Sequence, residues 1–174
     1  MISSGKVLAN LDSIRNGTPV TADIFLTNYC NNHCQYCAYG RWKELKKTLR
    51  YMRVEDFKLY LIRLKEIGVK GIILTGGGEP TVNPDFSEIT AFLEEHNFPY
   101  GINTNFNRLE LIRPVYLKIS LDGACRGEYR KIRGVDAWEK VMENIKAYVW
   151  WKKKNKVQTK VGIQCVADSV GALS

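Results

Sequence analysis

Short β-branched runs alternate with longer amphipathic stretches along this chain, and that alternation restricts it to a parallel α/β architecture. The runs fall at 20–26, 71–75, 100–103, 115–120 and 157–166. Between the first two, Val54, Phe57, Leu61, Leu64 and Ile67 recur at helical spacing, and Gly68 follows as a C-terminal stop. A second helix is expected after Asn83, with Pro84 at its first position and Phe86, Ile89 and Leu93 facing inward. A shorter helical segment, 107–113, ends before Pro114. The last helix opens with Asp136 and Glu139 in capping-box spacing and carries Trp138, Val141, Ile145 and Val149 as its apolar stripe. Strands joined through helices pair in parallel with right-handed crossovers. Ligands of such sheets sit beyond the carboxyl ends of the strands.

Length sets a ceiling on this architecture. A complete eightfold β/α barrel needs about 250 residues, and the chain has 174. One domain is the simplest account: a lead-in over 1–19 and a core over 20–174, with no internal repeat or low-complexity linker. The formal charge of +8 would attract acidic partners. The charge is dispersed, however, apart from Lys152, Lys153, Lys154 and Lys156, which read as a solvated helix end. Nucleic acid is therefore not the expected partner. No apolar run approaches the roughly 18 residues of a membrane helix. The first residues, Met1-Ile2-Ser3-Ser4-Gly5-Lys6, lack the apolar segment of a secretory signal. The expected setting is cytoplasmic and reducing, where clustered cysteines signal metal or redox chemistry rather than disulfides.

Three of the five cysteines, Cys30, Cys34 and Cys37, follow the first strand within eight residues. Thiolates at that spacing suit zinc, copper(I) or an iron–sulfur cluster. A structural zinc or an ordinary cluster takes four protein ligands, and no fourth is evident. His33 adjoins Cys34 and is poorly placed, so Cys125 or Cys165 would have to be brought near by the fold. Three ligands alone would leave one iron open to a substrate. The second strand ends in Gly76-Gly77-Gly78-Glu79-Pro80. Glycines let a ligand approach the backbone closely, and the carboxylate of Glu79 with free strand-end carbonyls suits an ammonium group better than a phosphate.

Taken together, these residues resemble the radical S-adenosylmethionine (radical SAM) family. The resemblance rests on CxxxCxxC after strand one, with Tyr36 before the last cysteine, and on the glycine loop after strand two. It continues in Asn103-Thr104-Asn105, Ser120-Leu121-Asp122-Gly123 and Arg133-Gly134, over roughly residues 21–166. The resemblance implies a 4Fe–4S cluster on Cys30, Cys34 and Cys37 whose open iron is chelated by S-adenosyl-L-methionine. It implies Gly77, Gly78 and Glu79 at the methionine amino group and Tyr36 against the adenine. Ser120 and Asp122 would face the ribose or carboxylate region, Arg133 would pair with the methionine carboxylate, and Gln164 and Val166 are candidates for the adenine contact. The implied chemistry is reductive cleavage of S-adenosylmethionine to a 5′-deoxyadenosyl radical that abstracts a substrate hydrogen. A one-electron donor such as flavodoxin or ferredoxin is implied as partner, and the positive charge at residues 152–154 is a candidate dock for it; a peptide or protein is among the candidate substrates.

The competing expectation is a non-catalytic iron–sulfur or zinc module, closed by Cys125 or Cys165. Otherwise Cys125 is an incidental thiol and Cys165 a core residue of the fifth strand. His96 is expected at the surface, and Trp150 and Trp151 are expected to seat the last helix. Cores of this family are partial barrels of about six β/α units. Five strands counted here leave the fifth without its neighbour, and 167–174 is too short to supply another unit. The closing segment is thus expected to be missing or supplied by a partner chain.

Overall fold

The computed structural model describes residues 11–41 and 48–166. Its elements run α1 (Leu11–Arg15), β1 (Thr21–Phe25), α2 (Ala38–Arg41), α3 (Val54–Glu66), β2 (Gly71–Thr75) and a 3-10 turn (Pro80–Val82). They continue as α4 (Phe86–Glu95), β3 (Tyr100–Thr104), β4 (Tyr116–Ser120), α5 (Arg126–Arg133), α6 (Trp138–Lys154) and β5 (Lys160–Gln164). The five strands form one parallel sheet in the order β1-β2-β3-β4-β5. Sequential order of parallel strands is what short crossovers produce, and it makes the sheet an open arc of a β/α barrel.

The core lies on one face of that arc. Ile24, Ile72, Leu74, Ile102, Leu117 and Ile119 alternate out of the strands onto the helical side. There they form one cluster with Val54, Phe57 and Leu61 of α3, Phe86, Ile89 and Leu93 of α4, and Val141 and Tyr148 of α6. Burying each such side chain contributes about 1.5–3 kcal/mol relative to exposure, so this face fixes the strand register. The carboxyl ends of β2, β3 and β4 present Thr75, Asn103 and Ser120 to a cavity instead. No described helix is long and apolar enough to cross a membrane.

Several sequence expectations need correction. Residues 107–113 form no helix; the chain crosses from β3 to β4 as a loop. Thr104 Oγ1 and Asn105 Oδ1 accept from the backbone N–H groups of Phe106 and Asn107, which competes with helix nucleation. Pro114 disfavours helical geometry at Arg113, and that residue's N–H donates to Glu94 Oε1. The capping box is absent: α6 starts from Ala137, and Asp136 and Glu139 both hold Arg126. Helix α4 begins at Phe86 rather than Pro84, because the 3-10 turn occupies the approach. Ile67 lies past the end of α3 and is exposed. On α6, Tyr148 rather than Val149 is the fully buried residue.

The fifth strand is shorter than expected and exposed along almost its whole length, and Cys165 beyond it is exposed rather than core. Among the described residues nothing covers Ile163 or, just past the strand, Val166; both are exposed. The two tryptophans part company: Trp151 packs on Tyr148, whereas Trp150 is 63% exposed with Lys154 over its ring. His96 is exposed, as expected, with Nδ1 against Phe92 O. Residues 1–10 of the lead-in and 167–174 of the closing segment lie outside the described residues.

Candidate cofactor site

The cysteine loop leaves β1 where Leu26, fully buried, anchors the turn: its carbonyl accepts from Met52 N–H and Asn83 Nδ2. Tyr29 N–H then donates to Thr27 Oγ1, and Tyr29 O accepts from Glu79 N–H at 2.8 Å. That last bond ties the cysteine loop to the glycine loop. It also explains a glycine requirement, since a Cβ on Gly78 would stand 2.1 Å from Tyr29 O.

Helix α5 clamps the loop from the other side. The N–H groups of His33 and Gln35, flanking Cys34, donate to the carbonyls of Arg133 and Ile132 at 3.0 Å each. Gly134 ends α5 in the left-handed region at φ 69°. A Cβ there would meet His33 O at 2.6 Å, so glycine is required for both backbone angle and close approach. The third clamp is a ladder of amides: Asn105 Nδ2 donates to Asn31 Oδ1 and Asn107 Nδ2 to Asn32 Oδ1, both at 2.6 Å.

These elements gather Cys30, Cys34 and Cys37 onto one cavity of about 220 Å³. Tyr36, the glycine loop, Glu79, Asn103, Thr104, Asn105, Ser120 and Arg133 share its walls. All three thiols are free and half-buried. Burial pushes the Cys30 thiol up to about 11, opposed by the Asn32 N–H that points at its sulfur. Among the described residues no three His, Cys, Asp or Glu side chains converge on a single ion. Neither Cys125 nor Cys165 lines the cavity, and both are exposed, so neither closes a fourth coordination position here. His33 is exposed as well.

Glu79 is 3% exposed and fully engaged. Its Oε1 accepts from Thr81 N–H, Thr81 Oγ1 and Thr104 Oγ1, and its Oε2 from Asn105 N–H at 2.7 Å. Burial raises its pKa, against the four donors that favour the anion. The carboxylate thus joins the ends of β2 and β3. Asp122, 1% exposed, accepts from Tyr36 Oη–H and Val166 N–H. Arg133 Nε lies 2.8 Å from Asp122 Oδ2, an ion pair whose N–H direction falls short of a hydrogen bond. Burial and donation to Asp122 raise the Tyr36 pKa. Burial works against the Arg133 charge, but Cys34 and Asp122 outweigh it and hold its pKa up.

Of the residues singled out from the sequence, Asp122 and the pair Gln164 and Val166 do not line the cavity; Asp122 stands behind Arg133 and Tyr36. Sequence reasoning missed Asn32 and Asn107, whose pairing is invisible in linear spacing, and Tyr39, which packs over Gly77. It also missed a larger adjoining cavity of about 850 Å³, lined by Phe25, Tyr51, Tyr60, Arg50 and Asp56. The two cavities share Asn28, Tyr39 and Gly77 as walls. Residues 152–154 end α6, at the opening end of β5, so they stand about a strand length, roughly 16 Å, from the cysteine end of the sheet.

Comparison with known proteins fits this geometry. The sequence profile of the Radical SAM superfamily matches residues 24–149, and the chain belongs to that superfamily. It is similar to a probable GTP 3′,8-cyclase of Thermococcus kodakarensis, 32% identical over 143 residues, covering 78% of this chain and 46% of that protein. It is also similar to Molybdenum cofactor biosynthesis protein 1 of Drosophila melanogaster, 36% identical over 132 residues, covering 70% of this chain and 23% of that protein. The chain thus spans less than half the length of these curated relatives. Among solved structures, Streptococcus suis SuiB bound to S-adenosylmethionine superposes with a TM-score of 0.68 at 19% identity, over 97% of this chain and 39% of that one. SuiB bound to its precursor peptide SuiA gives 0.72 at 18%. These likenesses share the partial-barrel fold, and members of the superfamily bind a 4Fe–4S cluster and S-adenosylmethionine.

Proposed function

We propose that the chain is the cofactor-binding core of a radical SAM enzyme, with Cys30, Cys34 and Cys37 as cluster ligands and one iron left for S-adenosylmethionine. The observation that carries this reading is the meeting of three free thiols and a three-glycine loop on one cavity, with no fourth cysteine on its walls among the described residues. The residues fit both groups. Soft thiolates suit iron–sulfur ligation. At the cavity wall, Asn103 Oδ1 is buried without a hydrogen-bond partner, an acceptor suited to an amino or ribose hydroxyl donor. When bound, the cluster and S-adenosylmethionine supply one-electron cleavage to a carbon-centred radical that abstracts a substrate hydrogen.

The chain's own residues hold and shield these groups. The backbone of Gly77 and Gly78 receives the methionine amino group. Glu79 acts chiefly by fixing that backbone against β3, since its oxygens are already occupied. Ser120 faces the ribose, Tyr36 the adenine, and Arg133 supplies positive charge for the methionine carboxylate, with Asp122 holding Arg133 and Tyr36 in place. The aromatic cavity beyond Tyr39 and Gly77 receives substrate and keeps water from the radical. A purine nucleotide is favoured as substrate over a peptide. The relatives at 31–36% identity carry the name GTP 3′,8-cyclase or belong to molybdenum cofactor biosynthesis, whereas the peptide-bound neighbour is alike in fold alone. An acidic one-electron donor docks near α5, whose Arg126, Arg130 and Lys131 are exposed beside the cysteine loop.

Anaerobic reconstitution with iron and sulfide tests this reading. About four irons per chain are expected, together with calorimetric binding of S-adenosylmethionine that depends on the cluster. One tightly held zinc without sulfide would overturn it.

A further inference from the structure

Arg133 has a second feature that cofactor binding does not use. Its Nη1 donates to Cys34 Sγ at 3.4 Å while Nε faces Asp122, and the side chain is 6% exposed. The contact is held rigidly. Residues 33 and 35, on either side of Cys34, are hydrogen-bonded to the carbonyls of residues 133 and 132, and Gly134 closes against His33 O. A rotation of Arg133 away from the sulfur would leave Asp122 buried without its cation, which is strongly unfavourable. Cys30 Sγ, by contrast, faces neutral donors, Asn32 N–H at 3.4 Å and Asn105 Nδ2 at 3.9 Å.

The geometry points to Arg133 as a positioning residue that sets the reduction potential of the bound cluster through Cys34, with Asp122 as its attenuator. The inference rests on the cluster-binding reading above. In the redox step one electron enters from a low-potential donor protein, and no bond in the chain is made or broken. The added negative charge is shared with the ligand sulfurs, so a cationic N–H donor on Cys34 favours the reduced state and raises the potential. Asp122 offsets part of that positive charge. Tyr36 Oη–H, by donating to Asp122, weakens the offset. Removing the cation and removing its counter-charge should therefore move the potential in opposite directions.

The test is potentiometric titration of the reconstituted full chain, read by electron paramagnetic resonance of the reduced cluster. It is run without S-adenosylmethionine, which separates this role from binding the methionine carboxylate. Wild type, Arg133→Gln and Asp122→Asn are compared at matched iron and sulfide content. At the wild-type midpoint, Arg133→Gln should lower the reduced-to-oxidised ratio about tenfold, a shift of about 59 mV to more negative potential for one electron. Asp122→Asn should shift it the other way. Coincident titrations, or shifts of the same sign, would overturn the assignment while leaving the cluster reading intact. If Arg133→Gln does not assemble a cluster, Asp122→Asn decides alone: a positive shift supports the inference and no shift refutes it. A wild-type chain that takes up no iron and sulfide would overturn the cluster reading itself, and this inference with it.

Discussion

Replacing Glu79 by Gln probes the joint between the glycine loop and β3. The carboxylate accepts four hydrogen bonds, three on Oε1 and one on Oε2. A glutamine can keep its oxygen where Oε1 stands, but its NH₂ group then faces the N–H of Asn105, donor against donor. One hydrogen bond is lost, worth about 1 kcal/mol net, and a buried donor is left unpaired at about 1–3 kcal/mol, so the variant should lose about 2–4 kcal/mol. For a chain of this size that lowers Tm by about 4–16 °C. The pH dependence follows from the raised pKa of Glu79, caused by burial. The folded state holds the proton more tightly than the unfolded chain. Below the ordinary carboxylate range the proton on Oε1 faces the rotatable Thr104 hydroxyl, so Oε2 still accepts from Asn105 N–H and the contribution is full; it is lost as pH rises through the raised value. The gap between wild type and Glu79→Gln should therefore narrow as pH increases. Urea unfolding from pH 4 to pH 8 measures it. A loss below about 0.5 kcal/mol at the acid end, the size of an inert surface change, or a gap that widens with pH, would refute the reasoning.

Three further outcomes are expected. Gly78→Ala sets a Cβ 2.1 Å from Tyr29 O, a backbone atom that cannot step aside; overpacking of this kind costs about 1–3 kcal/mol and should also abolish S-adenosylmethionine binding measured by calorimetry. Charge reversal at residues 152–154 should leave the rate of cluster reduction by flavodoxin unchanged in stopped flow, because that run stands at the far end of the sheet. Reversal at Arg130 and Lys131 should slow it, most at low salt. Cys125→Ser with Cys165→Ser should leave the iron content of the reconstituted protein unaltered, since neither thiol lines the cavity.

Where periodicity reports burial, the sequence was legible. Val54, Phe57 and Leu61, or Phe86, Ile89 and Leu93, face a core and repeat at its spacing. The strands and their parallel order follow from the same alternation. What failed were places where local pattern meets a tertiary competitor. Residues 107–113 look helical, yet the Asn105 side chain takes the N–H of Asn107 and the Glu94 carboxylate that of Arg113. Asp136 and Glu139 have capping-box spacing, yet Arg126 holds both. Helix α5 escaped notice because seven of its eight residues are Arg, Lys, Gly, Glu or Ile with no apolar stripe, and its buried members are Tyr129 and Arg133. At the site, motif chemistry identified the thiols and glycines that meet on the cavity. It could not show that Glu79 and Asp122 act inward on other protein groups, because hydrogen-bond partners 25 to 86 residues apart leave no trace in spacing.

The most direct test of the central claim is the formation of 5′-deoxyadenosine. The anaerobically reconstituted chain is incubated with S-adenosylmethionine and dithionite, and the product is quantified by chromatography beside a Cys34→Ala variant. Wild type should release 5′-deoxyadenosine with methionine in equal amount, and the variant none. Cleavage at the wild-type rate in Cys34→Ala, or none in a wild-type chain carrying its full complement of iron and sulfide, would contradict the account.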